Sequence, residues 1–353
     1  MTVDTKKQLL ERKRFWAGIL LAQFVLFYIF SKIDLIISLN GKFFEWQNSI
    51  HQKIFSVFPF SVGDVFYSLL GLGSVYFLFK IFRKKKIDAG ILIFANLIYF
   101  VYQMFWGMLY FQKPLVEKLS DKKPTLEEAK SLAEKYLQKC IEQRQYVKTD
   151  ENGVFQISDK TLIENEILKR QHLLPKNLTD KKATGIHSFK PSVFSGIMSY
   201  AGILGYYNPF TAEAQYNKNL PSSYLPFTLA HESAHQIGFA REQEANFIAY
   251  LIGKDSDNPD LKYATNYHVL KSLLSNIYVY DPKYSEAMLE QYSAGMKRDR
   301  RNEKKFIEEH RGYMDEFFGI TNNLFLKMNQ QEGSITYSYF VDLLIRYERN
   351  SSL

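Results

Sequence analysis

The stretch Thr228-Leu-Ala-His-Glu-Ser-Ala-His-Gln-Ile-Gly238 carries two histidines four residues apart. No proline or glycine interrupts it before Gly238, so we predict a helix over about residues 225–237. Residues at positions i and i+4 share one face of a helix. His231 and His235 can therefore offer their imidazole nitrogens to a single Zn²⁺ ion.

Glu232 lies one position after the first histidine. On the predicted helix its carboxylate would not be a metal ligand, but it would lie close to a zinc-bound water. A carboxylate in that position suits a general base that deprotonates the water. The spacing His-Glu-x-x-His therefore predicts a hydrolytic zinc site, with Glu232 as the catalytic residue.

A catalytic zinc ion takes three protein ligands and keeps a fourth position open for water. Glu242 and Glu244 are the carboxylates that closely follow the two histidines, at the start of a second predicted helix over 241–253. We predict Glu242 as the third ligand and keep Glu244 as the alternative. Asn246 shares a helix face with Glu242. Its amide could therefore hydrogen-bond one of the metal-binding side chains without binding the metal itself.

The segment Glu242-Gln-Glu-Ala-Asn246 resembles the third-ligand helix of gluzincin-type membrane proteases, whose pattern is Glu-x-x-Ala-Asp. Asn246 stands where those proteases have Asp. The distance from His235 to Glu242 is also short and closer to metzincin spacing, but Arg241 occupies the place of the third metzincin histidine. The resemblance implies a zinc-ligand role for Glu242.

Three long apolar segments lie in the first third of the chain. A helix needs about 20 apolar residues to cross the hydrocarbon core of a bilayer. We predict membrane spans at about 15–37, 61–82 and 89–111. The chain then divides into a membrane anchor over 1–112 and a soluble domain over 113–353. The expected fold is an α-rich α+β protein, with three transmembrane helices before a zincin-like, mostly helical domain.

Basic residues flank these predicted spans unevenly. Five lysines and arginines precede the first span, and Arg83-Lys-Lys-Lys86 joins the second to the third, whereas loop 41–60 carries only Lys42 and Lys53. The positive-inside rule therefore predicts a cytoplasmic N-terminus and an extracytoplasmic C-terminal domain. The expected location is a bacterial inner membrane, with the lipid bilayer as one partner.

The charge distribution argues against nucleic acid as a partner. The chain carries a formal net charge of +8, yet residues 1–111 alone hold 13 Lys and Arg against 6 Asp and Glu. The rest of the chain is nearly balanced. The basic character therefore belongs to the flanks of the predicted spans, and no extended basic face remains for binding nucleic acid.

Several weaker patterns describe the soluble part. Thr125-Leu-Glu-Glu128 is a capping box, which predicts a helix to about residue 144 and places the single cysteine, Cys140, in a core. We also predict a short strand over 154–157. Residues 195–207 are rich in Gly, Ser and Tyr and suit one or two strands, one of which could pair with an extended peptide.

A hydrolytic site also needs a group that stabilises the negative charge developing on the substrate oxygen. His268, Tyr337 and Tyr339 are the candidates, and the alternative for each is an ordinary packed or surface side chain. The other histidines have no motif around them, so we assign them structural roles: His51, His172, His187 and His310.

Four blocks of sequence support a family resemblance: Pro59-Phe-Ser-Val-Gly-Asp64, Tyr102-Gln-Met-Phe-Trp-Gly107, Pro209-Phe-Thr-Ala-Glu-Ala214 and residues 225–246. With them the chain resembles an uncharacterised bacterial membrane family, the domain of unknown function numbered 3810. The resemblance covers nearly the whole chain. It implies the three-span layout and a zinc-peptidase site, without an established activity.

The expected function is that of a membrane-anchored zinc metallopeptidase with one Zn²⁺ per chain and a peptide or protein as substrate. Two alternatives remain at this stage. One is a zinc-stabilised or inactive scaffold that binds envelope proteins, although a purely structural site has no use for Glu232 and closes with four ligands. The other is a zinc amidase that acts on a non-protein amide through the same chemistry.

Overall fold

The computed structural model describes residues 13–84, 89–312 and 336–351. The chain is mostly helical, with one small sheet. The basic residues before Lys13 and the loop residues 85–88, on which the predicted orientation rests, lie outside the described residues.

The predicted spans correspond to three apolar helices. Helix α1 covers Lys13–Phe30, α3 covers Val62–Lys84 and α4 covers Ala89–Phe105. By length and composition α1 and α3 could cross a membrane, and only 6% of the apolar window in α1 and 0% of that in α3 is buried. A core helix of a soluble protein would be covered, so these two helices indicate membrane association.

The third span is shorter than predicted, and its crossing of the membrane stays a prediction. Helix α4 ends at Phe105, and a 3₁₀ turn over Gly107–Phe111 follows it. The first span is also bounded differently, because α1 ends at Phe30 and residues 34–37 begin another helix. Helices α1 and α4 pack together, and the Gln23 side-chain amide donates to Asn96 Oδ1 at 2.9 Å.

Helix α2, Asp34–Phe55, occupies the region that we expected to be mainly a loop. Its buried face carries Asn40, Gln47, Asn48 and Gln52 beside Ile37 and Phe44. Apolar periodicity is the main sequence signal for a helix. Because polar residues occupy the inner face of α2, that signal was weak.

The residues that follow the apolar N-terminal segments fold largely as their local sequence signals predict. Thr125 and Glu128 form the predicted capping box at the start of α5, Leu126–Gln143, and Cys140 is buried. Asp159 caps α6, Lys160–Gln171. The predicted strand over 154–157 is wrong: only an isolated bridge joins Thr149 to Phe155. The Phe155 amide instead donates to Asp299 Oδ1.

The described residues form one three-stranded sheet with strand order β1-β3-β2. Strand β1, Phe189–Pro191, runs parallel to β3, Glu213–Tyr216, and β2, Gly205–Asn208, pairs antiparallel with β3. The expected strand region 195–207 is therefore half correct. Its first part is a short helix, α7, Ser195–Tyr200, and its last part is the edge strand β2.

The remaining six helices among the described residues form a core in which α8 and α9 are central. They are α8, Leu225–Gln236; α9, Glu242–Gly253; α10, Pro259–Tyr278; α11, Pro282–Glu290; α12, Ala294–His310; and α13, Thr336–Ser351. Helix α9 packs against α8, α10 and α13, and all its residues from Glu244 to Gly253 are buried. This surrounding core holds α8 and α9 in a fixed relation to each other.

The start of α3 is fastened to the sheet. Glu213 on β3 accepts hydrogen bonds from the Val62 and Gly63 amides at 3.1 and 2.6 Å. Asp64 is fully buried and accepts from the Val193 amide at 2.7 Å and from the Tyr206 hydroxyl on β2. A carboxylate at a helix N-terminus is favoured by the free amides there, so these contacts fix the first turn of α3 on the soluble part.

Candidate metal centre

Helix α8 carries both histidines of the motif. It begins at Leu225 with Pro226 in its first turn, where proline is tolerated, and its last turn is followed by Gly238. Gly238 has a φ of +94°, and a Cβ there would lie 3.0 Å from the Phe44 ring of α2. Glycine therefore allows the sharp turn that brings the start of α9 back to the histidines.

The turn brings Glu242, the first residue of α9, to the two imidazoles. Glu242 Oε2 lies 3.1 Å from His231 Nε2, and Oε1 lies 3.5 Å from His235 Nε2. The three potential ligand atoms lie within 4.8 Å of one another. Two imidazoles and one carboxylate at this separation form a donor set that fits a zinc ion.

The other ring nitrogen of each histidine has its own partner. His231 Nδ1 lies 2.9 Å from Asn246 Oδ1, and His235 Nδ1 lies 2.6 Å from the Phe239 carbonyl oxygen. Oxygen acceptors at Nδ1 fix the tautomer that carries a proton there and leave Nε2 free to bind a metal. The Trp106 ring packs edge-on against the His235 ring, with centroids 5.5 Å apart.

Replacing Asn246 with alanine is expected to weaken zinc binding by about 10- to 100-fold, because the His231 ring loses its orienting acceptor. Competition with a chromophoric chelator would measure the dissociation constant. The Asn246→Asp variant keeps an acceptor and should bind zinc at least as tightly as wild type. Equal affinity in wild type and the alanine variant would contradict this role for Asn246.

Glu244 has different partners. Its Oε1 accepts from the Leu115 amide at 2.8 Å and lies 3.1 Å from Arg241 Nη1. Arg241 also donates to the carbonyl oxygens of Tyr110 and Gln112, both at 2.8 Å. These contacts connect the start of α9 with the segment after α4, and they favour Glu242 over Glu244 as the metal ligand.

Glu232 is buried between the histidines and strand β2. Its Oε2 has no hydrogen-bond partner among the described residues, and a Cβ at Gly205 of β2 would lie 2.7 Å from its Oε1. Burial raises the pKa of Glu232 to about 7. A buried carboxylate without a partner is costly in a site of purely structural use, whereas a base with a pKa near neutrality is suited to proton transfer.

The charges of the site are strongly coupled in the metal-free protein. Burial alone would lower the pKa of His235, but the adjacent Glu242 carboxylate outweighs burial and raises it to about 9. Burial would raise the pKa of Glu242, and the two histidines instead lower it well below its usual range. The metal-free site is therefore a buried ion pair, with a proton on His235 at neutral pH.

The metal-free protein is expected to lose stability as pH rises from about 7 to 9.5. The pKa of His235 is higher in the folded than in the unfolded state, so its contribution is full below about pH 6.5 and is lost as pH rises through about 9. The loss is at most about 3 kcal/mol. Denaturant unfolding in the presence of a chelator would measure it. A Glu242→Gln variant with an equally large decline would contradict this assignment.

A cavity of about 790 Å³ opens over these residues. Its walls are largely aromatic and include Tyr67 of α3, Tyr102 of α4 and Tyr206 of β2. Among the described residues that line it, Glu232 and Glu242 are the acidic side chains, and the histidines add positive charge only when they are protonated. Such a cavity suits a neutral, partly apolar ligand rather than an anion.

The three candidates for stabilising a developing oxyanion differ in position. His268 lines the cavity, stacks on Phe227 with centroids 3.7 Å apart, and has a buried Nε2 without a partner among the described residues. Tyr339, 37% exposed, is not among the described residues that line the cavity. The side chain of Tyr337 lies outside the described part of the structure.

The remaining histidines lie away from the metal group, as assigned. His51 lies 2.5 Å from Gln47 Nε2 on α2, His187 pairs with Glu164 at 2.6 Å, and His310 Nδ1 lies 2.8 Å from the Phe306 carbonyl. His172 is the C-cap residue that follows α6. None of the four belongs to the metal group found among the described residues.

Sequence reasoning missed the residues that hold the site from α2 and from the segment after α4. Asn48 on α2 donates to the Gln236 carbonyl at the end of α8 at 2.7 Å and accepts from the Tyr207 hydroxyl at 2.6 Å. Trp106 packs against both His235 and Tyr207. The polar residues within an otherwise apolar N-terminal third, Asn48 and Asp64, were the available signal.

Comparison with known proteins identifies a family. No curated protein and no solved structure gives a significant match to the chain. A family model described as a protein of unknown function, DUF3810, matches residues 40–345. The match includes the metal group, α3, α4 and α2 from Asn40 onward, so the predicted family membership is confirmed. The chain belongs to the DUF3810 family.

Proposed function

We propose that this protein is a membrane-anchored zinc metallopeptidase in which His231, His235 and Glu242 hold one Zn²⁺ ion. The observation that carries the proposal is the meeting of three metal-ligand atoms within 4.8 Å beside the unpartnered carboxylate of Glu232. A structural zinc site closes with four protein ligands, whereas three ligands next to a base in an open cavity are typical of hydrolysis.

Held by His231, His235 and Glu242, a zinc ion would supply Lewis-acid chemistry for the peptide carbonyl and for the attacking water. Glu232 takes a proton from the attacking water as the new C–O bond forms, and it then passes that proton to the leaving amine as the C–N bond breaks. Burial raises the pKa of this carboxyl, which suits both transfers near neutral pH. Asn246 and the Phe239 carbonyl keep both imidazoles oriented throughout.

Strand β2 is suited to hold the peptide. It is an edge strand of the sheet, Gly205, Tyr206 and Tyr207 line the cavity, and Gly205 packs directly on Glu232. An extended peptide can add to such an edge through main-chain hydrogen bonds. A peptide bound there would pass over Glu232, so the geometry favours an extended polypeptide as substrate.

His268 is the best candidate to stabilise the developing oxyanion. Burial lowers its pKa well below the usual range, so the ring is neutral and can donate from one nitrogen. Replacement of His268 by alanine is expected to lower kcat about 100-fold, with a smaller change in KM and unchanged zinc content. The His268→Gln variant keeps a donor and should recover part of the loss. An unchanged kcat would exclude this role.

The membrane part of the proposal has the helices crossing a bacterial inner membrane, with α1, α3 and α4 as spans. The N-terminus lies in the cytoplasm and the metal centre outside it. The support is the exposed apolar surface of α1 and α3 together with the basic residues Lys80, Arg83 and Lys84 at the far end of α3.

The test uses the full chain in detergent or nanodiscs and measures zinc content together with hydrolysis of quenched peptide libraries and of cell-wall peptides. About one zinc per chain and chelator-sensitive peptide cleavage are expected. Cleavage of non-protein amides alone would favour the amidase. Zinc without any hydrolysis would favour the scaffold. Absence of zinc in carefully prepared protein would overturn the proposal.

A further inference from the structure

Helix α2 has an inverted distribution of polarity. Polar residues lie on its buried face, while Leu35, Leu39, Trp46 and Ile54 on the other side are between 51% and 68% exposed. A surface helix of a soluble protein normally shows the reverse. The exposed apolar surface continues beyond the helix through Val57, Phe58 and Phe60, up to the start of α3.

The connections at both ends of α2 restrict its position. Three residues join it to α1, and six join it to α3, the two helices long and apolar enough to cross a membrane. The start of α2 therefore lies near the C-terminal end of α1, and the end of α2 lies near the N-terminal start of α3. At 1.5 Å per residue α2 is about 33 Å long, long enough to cross a bilayer, so its orientation must be decided by its contacts.

The contacts of α2 exclude a crossing. Gln47 Nε2 donates to the Pro209 carbonyl at 3.3 Å, Asn48 donates to the Gln236 carbonyl, and Gln52 accepts from the Thr184 hydroxyl at 2.5 Å. These bonds hold residues 47–52 of the helix side-on against the soluble part, while Asn40, nearer its start, donates to the Met104 carbonyl of α4. A helix held in this way lies along a surface rather than through it.

Lys42 lies on the same side of α2 as the exposed apolar residues, three residues after Leu39 and four before Trp46, so its long stem can reach past them to a headgroup. A groove of about 1190 Å³ along α2 is lined by six lysines and four carboxylates. Lys113 and Lys182 lie 3.5 and 4.0 Å from carboxylates of α2, and Lys118 and Lys181 donate to oxygens of the protein, so the headgroup contact rests on the other two lysines. Lys42 and Lys53 project from exposed positions of α2 itself. Lysine ammonium groups beside a membrane attract the phosphates of anionic lipids.

We propose that α2 lies in the plane of the membrane surface, with its apolar face among lipid acyl chains and its lysines on anionic phospholipid headgroups. The inference rests on the proposed membrane anchoring but not on the peptidase activity. Trp46 belongs at such an interface, where aromatic rings are favoured. The bilayer would then lie one helix away from the metal centre, because the inner face of α2 binds the end of α8 through Asn48.

Spin labels on the full chain in liposomes of phosphatidylcholine with phosphatidylglycerol would test the position of α2. Labels at Leu39→Cys and Trp46→Cys are compared with Leu72→Cys in the middle of α3 and with Tyr146→Cys, which is 69% exposed on the soluble part. The only native cysteine, Cys140, is buried and should not react. Collision with oxygen and with a water-soluble nickel chelate gives the depth of each label.

The expected result is a shallow lipid position for the labels at 39 and 46, between those at 72 and 146. Nickel access equal to that at 146 would overturn the proposal, as would a depth equal to that at 72. Protection from both reagents would also overturn it and would indicate a second copy or another protein on this face.

The headgroup contact is tested by thermal unfolding in nanodiscs. Phosphatidylglycerol should raise the Tm of wild type by a few degrees relative to phosphatidylcholine alone. A Lys42→Gln/Lys53→Gln variant should lose that gain, whereas Lys304→Gln/Lys305→Gln on α12 should keep it. Free inorganic phosphate should not replace the lipid. An equal gain in both double variants would overturn the headgroup contact.

Discussion

Purified chain carrying Glu242→Ala is expected to contain almost no zinc, where wild type holds about one ion per chain. The carboxylate of Glu242 lies 3.1 and 3.5 Å from the two imidazoles, and the loss of one of three protein ligands leaves a two-histidine site. The variant also leaves His231 and His235 without their acidic partner. Elemental analysis of protein purified without added zinc would measure the effect.

Glu244→Ala is the matched control, because Glu244 lies two residues away in the same helical turn. Its carboxylate contacts Leu115 and Arg241, so its loss should lower stability yet leave the zinc content near that of wild type. The reverse outcome, with zinc kept by Glu242→Ala and lost by Glu244→Ala, would transfer the ligand role to Glu244. Circular dichroism of both variants would show whether either has failed to fold.

Glu232→Gln is expected to lower peptide hydrolysis by about a hundred- to ten-thousandfold while zinc remains bound. Glutamine has nearly the shape of glutamate and keeps the packing against Gly205, but it cannot accept a proton from water. The loss should therefore appear in kcat rather than in KM. Single-turnover cleavage of a quenched peptide would measure it.

The result depends on zinc content being measured in the same preparation. If the variant lost both zinc and activity, the loss would be explained by a role of Glu232 in positioning the metal site. A Glu232→Asp variant, which keeps a carboxylate, would separate that role from the role of a base. Substantial activity in a zinc-loaded Glu232→Gln variant would exclude Glu232 as the base. The wild-type rate should also fall on the acid side as Glu232 becomes protonated, at a pH below 7, because a bound zinc ion favours the carboxylate form of a group whose pKa is about 7 without it.

The predicted elements that agree with the structure depend on local chemistry. The capping box at Thr125, the two metal-site helices and the apolar segments all carry their signal within a few residues. The approach of Glu242 to His231 was also predictable in part, because Gly238 permits the turn between their helices. Short spacing and a glycine were enough to indicate that the two side chains face each other.

The errors have a common physical origin in tertiary contacts. Phe155 was predicted in a strand, but Asp299 binds its amide from a helix more than a hundred residues away. Asp64 entered the sequence analysis only as part of a family block, whereas the structure shows it as a buried acceptor for the Val193 amide and the Tyr206 hydroxyl of β2. A polar residue in an apolar segment can be recognised in sequence, but its partner cannot.

The bond between Asp64 and Tyr206 has a consequence for where a substrate would be cut. Tyr206 belongs to the strand proposed to hold the peptide, and Asp64 belongs to the first turn of an apolar helix, so strand and helix cannot move apart freely. If α3 crosses a bilayer as proposed, the candidate site would thereby be held at a constant height above it. For a substrate anchored in the same membrane, such a peptidase would cleave at a fixed distance from the bilayer. The number of residues between the substrate's anchor and the cleavage site would then depend on this distance more than on the sequence at the cleavage site.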